Sequence, residues 1–288
     1  MIRKKEKKSI KPYMLPLLLI FPALIFALFF RIYPIVFSFV KAFQYKDTVS
    51  FETYRMLFAD INFWKSMWIT LKMNFIMIPL QIVISFVLAL LVSSTMKGIG
   101  IFRSIFYIPV TISMSVAAIC WSMILSVNNG VMNSILQSFF GMESQGFFTD
   151  EKQAMMCIIL LCTWKGCGYW MMFYLAGLKE INTSVMEAAK IDGAGYFQRL
   201  FYVVIPLLKK TTLFITVANT SINLLLFAPI QLITSGGPND STNVLMYNAY
   251  QQAFKYGNYS KGSAITSILV VIILVVVYVQ FYFMNEKE

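Results

Sequence analysis

A polar stretch with the sequence EAAKIDGAGYFQRLFYVVIP, residues 187–206, interrupts a chain that is otherwise strongly apolar. Its alanines would let another protein surface approach closely, and its acidic side chains offer fixed negative charge to a basic partner. We therefore expect docking against another protein. The residues that we expect to make this contact are Glu187, Ala188, Ala189, Asp192, Gly193 and Ala194. The alternative is an amphipathic helix resting on lipid headgroups, although such helices usually carry Lys or Arg on the polar face.

The same stretch predicts two short helices joined at a glycine turn near the membrane surface. Asn182, Thr183 and Ser184 offer side chains that can cap a helix, and the Glu-Ala-Ala run that follows favours helix formation. Glycine at position 193 permits the backbone to turn where a helix ends. We predict that the whole connecting loop covers residues 179–206.

A second group of polar side chains lies within apolar stretches, where polar groups are costly and usually face the interior of a helix bundle. Asn219 and Asn223 are four residues apart and share one helical face, so their amides could offer hydrogen-bond donors and acceptors to the hydroxyls of a solute. Hydrogen bonding between helices is an equally good interpretation. The candidate substrate-pathway residues are Asn219, Ser221, Asn223 and Gln81.

Aromatic and basic residues in the apolar stretches allow both functional and structural interpretations. The aromatic candidates for stacking on a solute are Trp121, Trp164, Trp170 and Tyr174, but for most of them we favour anchoring at the lipid interface. For Lys165 we favour a structural role, either snorkelling or a pairing that fixes the position of its helix.

No phosphate-binding loop of the form Gly-x-x-x-x-Gly-Lys-Ser/Thr occurs in the chain. The nearest approach, residues 257–263, lacks the required lysine, so we interpret Lys261 as an ordinary charge of an outer loop. The chain has no histidine, and its four cysteines all fall in apolar stretches, where they serve as small packing residues. We therefore expect no enzyme activity, no metal site and no cofactor on this chain.

The elements that must position these residues are membrane helices. Apolar residues make up 58% of the 288 residues and charged residues only 13%, against roughly 25% charged residues in soluble domains. The apolar runs are continuous rather than alternating, which disfavours a transmembrane barrel. We predict an all-α, polytopic membrane protein in which residues 13–288 form a single transmembrane domain. Six spans are predicted, at about 13–40, 68–94, 105–127, 154–178, 209–233 and 262–284.

Positive charge predicts the orientation of the chain. If the N-terminus is cytoplasmic, fourteen Lys and Arg fall in cytoplasmic segments and seven in outer ones, as the positive-inside rule requires. Both termini and the 179–206 loop would then face the cytoplasm. The basic N-terminus, residues 1–12, is interpreted as an anchor on an anionic leaflet, so the net charge of +11 needs no nucleic acid partner.

The EAA-x-IDGA pattern, followed by aromatic residues and Ile205-Pro206, resembles the signature of inner-membrane permeases of binding-protein-dependent ABC importers. It is most similar to the carbohydrate branch, which includes maltose-type and glycerol-phosphate-type systems. Three further stretches resemble the same branch, at residues 164–178, 234–254 and 262–264. The resemblance covers essentially the whole chain.

The resemblance implies a subunit of the cytoplasmic membrane of a prokaryote that moves a sugar or oligosaccharide by alternating access. Its implied partners are a second, related permease, two copies of an ABC ATPase and an extracytoplasmic solute-binding protein, in addition to membrane lipids. Glu187 and Gly193 would dock in a groove of the ATPase. The outer loop at Gly236, Gly237 and Pro238 would face the binding protein.

Two alternatives remain open at the level of sequence. One is the same architecture with another solute, such as glycerol phosphate, an amino acid or a polyamine. The other is a secondary transporter or channel that works without an ATPase. No Asp or Glu lies within the six predicted spans, which argues against proton coupling.

Overall fold

The computed structural model describes residues 14–46, 48–94 and 97–285, and in these ranges the chain forms a bundle of helices. The predicted basic N-terminus, residues 1–12, lies outside the described residues. The helices are α1 (Met14–Ala27), α2 (Tyr33–Ala42), α3 (Glu52–Ala59), α4 (Ile61–Val92), α5 (Ile99–Thr111), α6 (Met114–Ile124), α7 (Val131–Phe140), α8 (Glu151–Glu180), α9 (Thr183–Ile191), α10 (Tyr196–Arg199), α11 (Ile205–Leu207), α12 (Lys209–Leu224), α13 (Leu245–Tyr250) and α14 (Tyr259–Asn285). An antiparallel hairpin pairs β1 (Gln44–Tyr45) with β2 (Thr48–Val49).

The described residues contain four helical segments that are long and apolar enough to cross a membrane. They are Leu18–Ala42, Ile61–Val92, Glu151–Glu180 and Tyr259–Phe283. Two bent helix pairs, α5 with α6 and α10–α11 with α12, raise the number of candidate spans to six if each pair counts as one. The prediction of an all-α, polytopic membrane protein is confirmed.

The third predicted span, 105–127, is not a continuous helix. α5 and α6 meet at 97°. Ile112 is extended between them, and the Ser113 hydroxyl caps α6 by accepting a hydrogen bond from the N–H of Val116 at 3.2 Å. Serine is a preferred residue at this capping position. The span predicted at 105–127 is therefore broken at Ile112 and Ser113, a break that hydropathy does not register because the cap lies inside an apolar run.

A lysine from α8 holds the open end of α5. Lys165 Nζ lies 3.4 Å from the carbonyl oxygen of Pro109 and 3.3 Å from that of Val110. Carbonyls in the last turn of a helix lack donors within the helix, and the helix dipole favours a cation there. Gly168 allows the close approach, since a Cβ at that position would collide with the carbonyl of Phe106. Lys165 therefore pairs with the broken span, in agreement with a structural role.

The fifth span also differs from its predicted range of 209–233. α12 ends at Leu224 and is joined at 63° to α10–α11. The apolar run continues beyond Leu224, but Pro229 has no N–H to donate and the chain enters a π-helical turn, Ile230–Thr234. The sixteen residues of α12 cover about 24 Å, so only the bent pair has the roughly 30 Å length of the hydrocarbon core.

An ion pair joins the N-terminal ends of α4 and α14. Lys261 Nζ lies 2.7 Å from Asp60 Oδ2. The side chain of Lys261 is only 23% exposed and that of Asp60 only 20%. Asp60 also caps α4 by accepting from the N–H of Asn62 at 2.9 Å, so the helix begins at Ile61 rather than at residue 68. The interpretation of Lys261 as an ordinary loop charge is wrong, because its partner lies 201 residues away in the sequence.

The ion pair controls the protonation of Asp60. Burial of this carboxyl favours its neutral form, but the hydrogen bonds from Lys261 and from the N–H of Asn62 outweigh burial and hold its pKa below the ordinary value of 3.8. A carboxyl whose pKa is lower in the folded state than in the unfolded state stabilises the folded state at pH values above its unfolded-state pKa. That contribution disappears as the pH falls through the folded-state pKa.

We expect Asp60→Asn to lower the free energy of unfolding by about 1–2 kcal/mol, since the amide keeps the helix cap but loses the charge-assisted bond to Lys261. Thermal unfolding of the detergent-solubilised protein at neutral pH measures this effect. The difference between wild type and variant should shrink below about pH 4. Glu52→Gln, in an exposed pair with Arg55, is the control and should change stability by less than about 0.5 kcal/mol. Equal effects of the two substitutions would contradict the prediction.

Candidate functional site

The polar segment after α8 is built as two short helices around a turn, as the sequence predicts. α8 ends at Glu180, and Asn182 caps α9 by accepting from the N–H of Ser184 at 3.0 Å. α10 starts after Gly195, whose N–H donates to Gln198 Oε1 at 2.7 Å. Each helix start thus has a side-chain partner for a backbone N–H that the helix itself leaves free.

Gly193 makes the turn between α9 and α10. Its φ of +80° is left-handed, whereas Gly195 has an ordinary φ of −66°. The N–H of Gly193 donates to the carbonyl of Lys190 at 3.1 Å, and the N–H of Ala194 donates to that of Ala189 at 3.0 Å. This pair of bonds is the Schellman arrangement, which favours glycine at the left-handed position. A side chain at position 193 would meet no neighbouring atom. The left-handed backbone conformation, and not a lack of space, therefore explains why glycine occupies this position.

The outer surface of this segment combines acidic and large apolar side chains. Glu187 and Asp192 are exposed, and among the described residues neither has an ion-pair partner. Ile191, Tyr196 and Phe197 are 85%, 61% and 70% exposed. Large apolar side chains grouped with polar ones at a surface mark a contact site for another protein or for a membrane.

The inner surface of the segment is fixed to the helix bundle. Ile181, Met186 and Leu200 pack against a buried cluster drawn from α4, α8 and α12 and from the start of the fifth span. At Gly177 α8 and α12 approach closely, since a Cβ there would lie 2.7 Å from Thr211 Oγ1. A displacement of α9 would therefore be transmitted to several transmembrane helices.

The candidate pathway amides contact one another inside the bundle. Asn223 Nδ2 donates to Gln81 Oε1 at 2.9 Å and to Asn219 Oδ1 at 3.0 Å. Trp170 Nε1 donates to the same Asn219 oxygen at 3.0 Å, and Gln81 Nε2 donates to the carbonyl of Cys162 at 3.0 Å. All four side chains are at most 6% exposed. In this structure the amides join α4, α8 and α12. This arrangement agrees with the interpretation that these residues form hydrogen bonds between helices.

The structure separates the remaining candidates from this network. Ser221 is half-buried and donates to the carbonyl of Val217 in its own helix at 2.9 Å. Trp170 and Tyr174 are 3% and 2% exposed, so they are core residues rather than interfacial anchors. Tyr174 donates to Thr212 Oγ1 at 3.2 Å. The sequence pattern did not identify Trp170 as the partner of Asn219, because the two residues are 49 positions apart.

The Gly236-Gly237-Pro238 turn packs on α13. Gly236 has a φ of +87°, and a Cβ there would lie 2.9 Å from the ring of Tyr247. Thr242 Oγ1 donates to the carbonyl of Gly237 at 2.7 Å. The turn is therefore held by the protein itself, and the neighbouring Asn239 and Asp240 are the exposed part of this loop.

Hydroxyl groups that the sequence analysis did not single out attach α13 to α4. The N–H of Leu245 donates to Thr70 Oγ1 at 2.8 Å, and Asn248 Nδ2 donates to Ser66 Oγ at 2.9 Å. Ser66 and Thr70 are four residues apart on α4 and therefore share a face. This spacing is the signal by which a polar stripe facing a neighbouring element could have been found.

These features define a multi-pass membrane protein with an exposed polar segment between its fourth and fifth spans. Residues 9–287 match the family described as the binding-protein-dependent transport system inner membrane component. The chain belongs to this family, whose members are transport components rather than catalysts. The resemblance identified from the EAA-x-IDGA pattern is confirmed.

Relatives of the chain span nearly its full length. It is 34% identical over 242 residues to a probable ABC transporter permease of Pyrococcus horikoshii, covering 83% of this chain and 82% of the relative. It is 30% identical over 281 residues to the lactose transport permease LacF of Rhizobium radiobacter, covering 94% of each. It is 29% identical over 281 residues to the sn-glycerol-3-phosphate permease UgpA of Pectobacterium atrosepticum, covering 95% of each.

A solved structure has the same fold. A chain of a bacterial alginate ABC transporter, in complex with an alginate pentasaccharide-bound periplasmic protein, superposes with a TM-score of 0.85 at 23% identity. The match covers 97% of this chain and 96% of the other. The architecture described above is therefore that of an experimentally observed transporter chain.

We expect Asn223→Leu to destabilise the protein by about 1–3 kcal/mol, since Gln81 Oε1 would lose its donor in a buried site. Ser221→Ala is the matched control on the same helix, because it removes only a bond to the local backbone, and should cost less than about 0.5 kcal/mol. Thermal unfolding of both variants in one detergent compares them directly. Equal melting temperatures would show that the amide network does not support the bundle.

Proposed function

We propose that this chain is one permease subunit of an ATP-driven importer that moves a sugar or oligosaccharide across the cytoplasmic membrane by alternating access. In this proposal it pairs with a second, related permease, two copies of an ABC ATPase and an extracytoplasmic binding protein. ATP and Mg²⁺ are bound by the ATPase. The observation that carries the proposal is the exposed acidic segment around Glu187, whose inner surface is packed into the bundle.

The exposed side of α9 would bind to a surface of the ATPase. Glu187 offers an unpaired carboxylate to a basic residue of the ATPase, and Ala188 and Ala189 allow the two backbones to approach. Asp192, Gly193 and Ala194 form the turn that limits the length of α9. The apolar side chains of Ile191 and Phe197, 85% and 70% exposed, would be covered in the same contact.

Force would pass from the ATPase through the inner side of α9. When the ATPase subunits close, α9 moves with them, and the contacts of Met186 and Ile181 with the bundle carry α4, α8 and α12 along. This coupling needs the segment in the cytoplasm, with both termini on the same side. The excess of Lys and Arg in the segments assigned to the cytoplasm supports that orientation.

The substrate pathway would run along α12. In the proposal Asn219, Asn223 and Gln81 are hydrogen-bonded to one another while the helices are closed, and they offer their amides to sugar hydroxyls when the helices separate. Ser221 would contribute its hydroxyl from the adjacent face of α12. At the outer end, the loop at Gly236, Gly237 and Pro238 would contact the binding protein.

A carbohydrate is the substrate class that the relatives and the residues favour. LacF is a lactose permease and the alginate transporter binds an oligosaccharide-loaded periplasmic protein. Amides and hydroxyls suit polyols, and the four pathway candidates carry no charge. Glycerol phosphate is the second candidate, since UgpA is 29% identical. Thermal stabilisation of the cognate binding protein by a panel of sugars and glycerol 3-phosphate distinguishes the two.

We expect Glu187→Lys to reduce uptake of the stabilising solute about tenfold or more, because the substitution places a cation where a basic partner should bind; a tenfold change corresponds to 1.4 kcal/mol. Uptake of radiolabelled solute by cells expressing the complete importer measures the effect. Immunoblots of the membrane fraction must show equal amounts of the subunit.

Glu143→Lys is the control for that experiment. Glu143 is an exposed acid between α7 and α8, far from α9 in the sequence, and its reversal should leave uptake unchanged. Uptake that is unaffected by Glu187→Lys, or equally reduced by both substitutions, would refute the assignment of Glu187 to the ATPase contact.

A further inference from the structure

An open groove of about 900 Å³ runs along the side of α4 where this helix meets α12 and α14. Its α4 wall includes Trp68, Lys72, Phe75, Pro79 and Val83, spaced at three or four residues along one helical face. The facing wall is formed by Thr216, Thr220, Leu224, Val276 and Gln280. The groove therefore runs along α4. It begins at Trp68 and Lys72 and continues as a mostly apolar channel.

The hydroxyls at the far end of the groove have partners within the protein. Thr220 Oγ1 donates to the carbonyl of Thr216 at 2.7 Å and accepts from Gln280 Nε2 at 2.8 Å. These groups join α12 to α14. The Thr220 hydroxyl is therefore satisfied without a ligand, whereas Gln280 Oε1 is buried without a partner among the described residues.

Two polar groups nearer the Trp68 end are unsatisfied. The ammonium of Lys72 is exposed, and no residue in the described ranges forms a hydrogen bond or ion pair with it. Asn74, which is 6% exposed and also lines the groove, donates from Nδ2 to the carbonyl of Thr70 at 2.8 Å, but its Oδ1 has no donor. The Asn74 Oδ1 atom is covered by the protein, so the groove offers one cation to a ligand and fits a molecule with an anionic group.

The position of these groups fits a lipid headgroup. α4 has 32 residues, about 48 Å, and thus exceeds the roughly 30 Å hydrocarbon core. Lys72 lies about 16 Å from the start of α4, where a long lysine can snorkel to the interface. Trp68 is 67% exposed one turn closer to that end, and tryptophan concentrates at membrane interfaces.

The lining of the groove suits acyl chains, because Phe75, Pro79, Val83 and Val276 present apolar surface behind Lys72. An amphiphile with one charged end would match the single cation at the mouth and the apolar wall behind it.

We propose that this groove is a binding site for an anionic phospholipid, with the phosphate on Lys72 and the acyl chains along Phe75, Pro79 and Val83. The site is separate from the proposed sugar pathway, because it lies outside the amide network of α12. Bound lipid would fill the space between α4 and α14 and would make the stability of the subunit depend on the lipid composition.

Quenching of tryptophan fluorescence by brominated lipids tests this proposal on the purified importer complex. The probes are brominated phosphatidylglycerol and brominated phosphatidylcholine in mixed micelles, and the signal of Trp68 is the difference between wild type and Trp68→Phe. We expect phosphatidylglycerol to quench Trp68 at lower mole fraction, by about fivefold, as one Lys near a lipid phosphate is worth about 1 kcal/mol.

Lys72→Gln should abolish this preference, whereas Lys72→Arg should retain it. Lys65→Gln, which removes an exposed cation of the same helix outside the groove, should change nothing. Equal quenching by the two lipids, or an equal loss in Lys65→Gln, would overturn the proposal. The proposal would also be overturned if neither lipid quenched Trp68 and Phe75→Cys formed a cross-link to the second permease. A partner helix would then occupy the groove.

Discussion

The arrangement of this chain depends on one buried set of hydrogen bonds between side chains. Gln81, Asn223, Asn219 and Trp170 are linked by hydrogen bonds where α4, α8 and α12 meet. In a bilayer, packing and polar contacts rather than the hydrophobic effect hold helices together. The network therefore sets the register of the three helices to which α9 is attached, and it does so with groups that can exchange partners if the helices separate.

A mechanical path leads from this network to the surface. Met186 and Ile181 pack on the cluster formed by the same three helices, while Glu187 and Ile191 on α9 face outward. Gly193 ends α9 and turns the chain toward the bent fifth span. The segment thus has one exposed side and one side packed on the bundle, as the proposed coupling element requires. Lys165 and the Asp60–Lys261 pair stabilise other parts of the bundle at a broken helix and at two helix starts.

Sequence reasoning succeeded where the signal is local and failed where it depends on distant partners. The turn at Gly193, the cap at Asn182 and the apolar spans all follow from neighbouring residues. The break at Ser113 and the end of α12 at Leu224 lie inside apolar runs, so hydropathy extended both helices too far. The ion pair of Lys261 and the bond of Trp170 to Asn219 join positions remote in sequence. One sequence carries no record of such pairs, and only the folded chain brings them together.

The central claim is that the exposed side of α9 is covered by an ATPase in the cytoplasm. Labelling of Ala188→Cys with a membrane-impermeant maleimide in inside-out vesicles tests it most directly. Ala188→Cys is introduced into the Cys120→Ser variant, because the other natural cysteines are buried. The account predicts rapid labelling without the ATPase and strong protection in the assembled importer. Equal labelling in both cases, or labelling only in right-side-out vesicles, would contradict it.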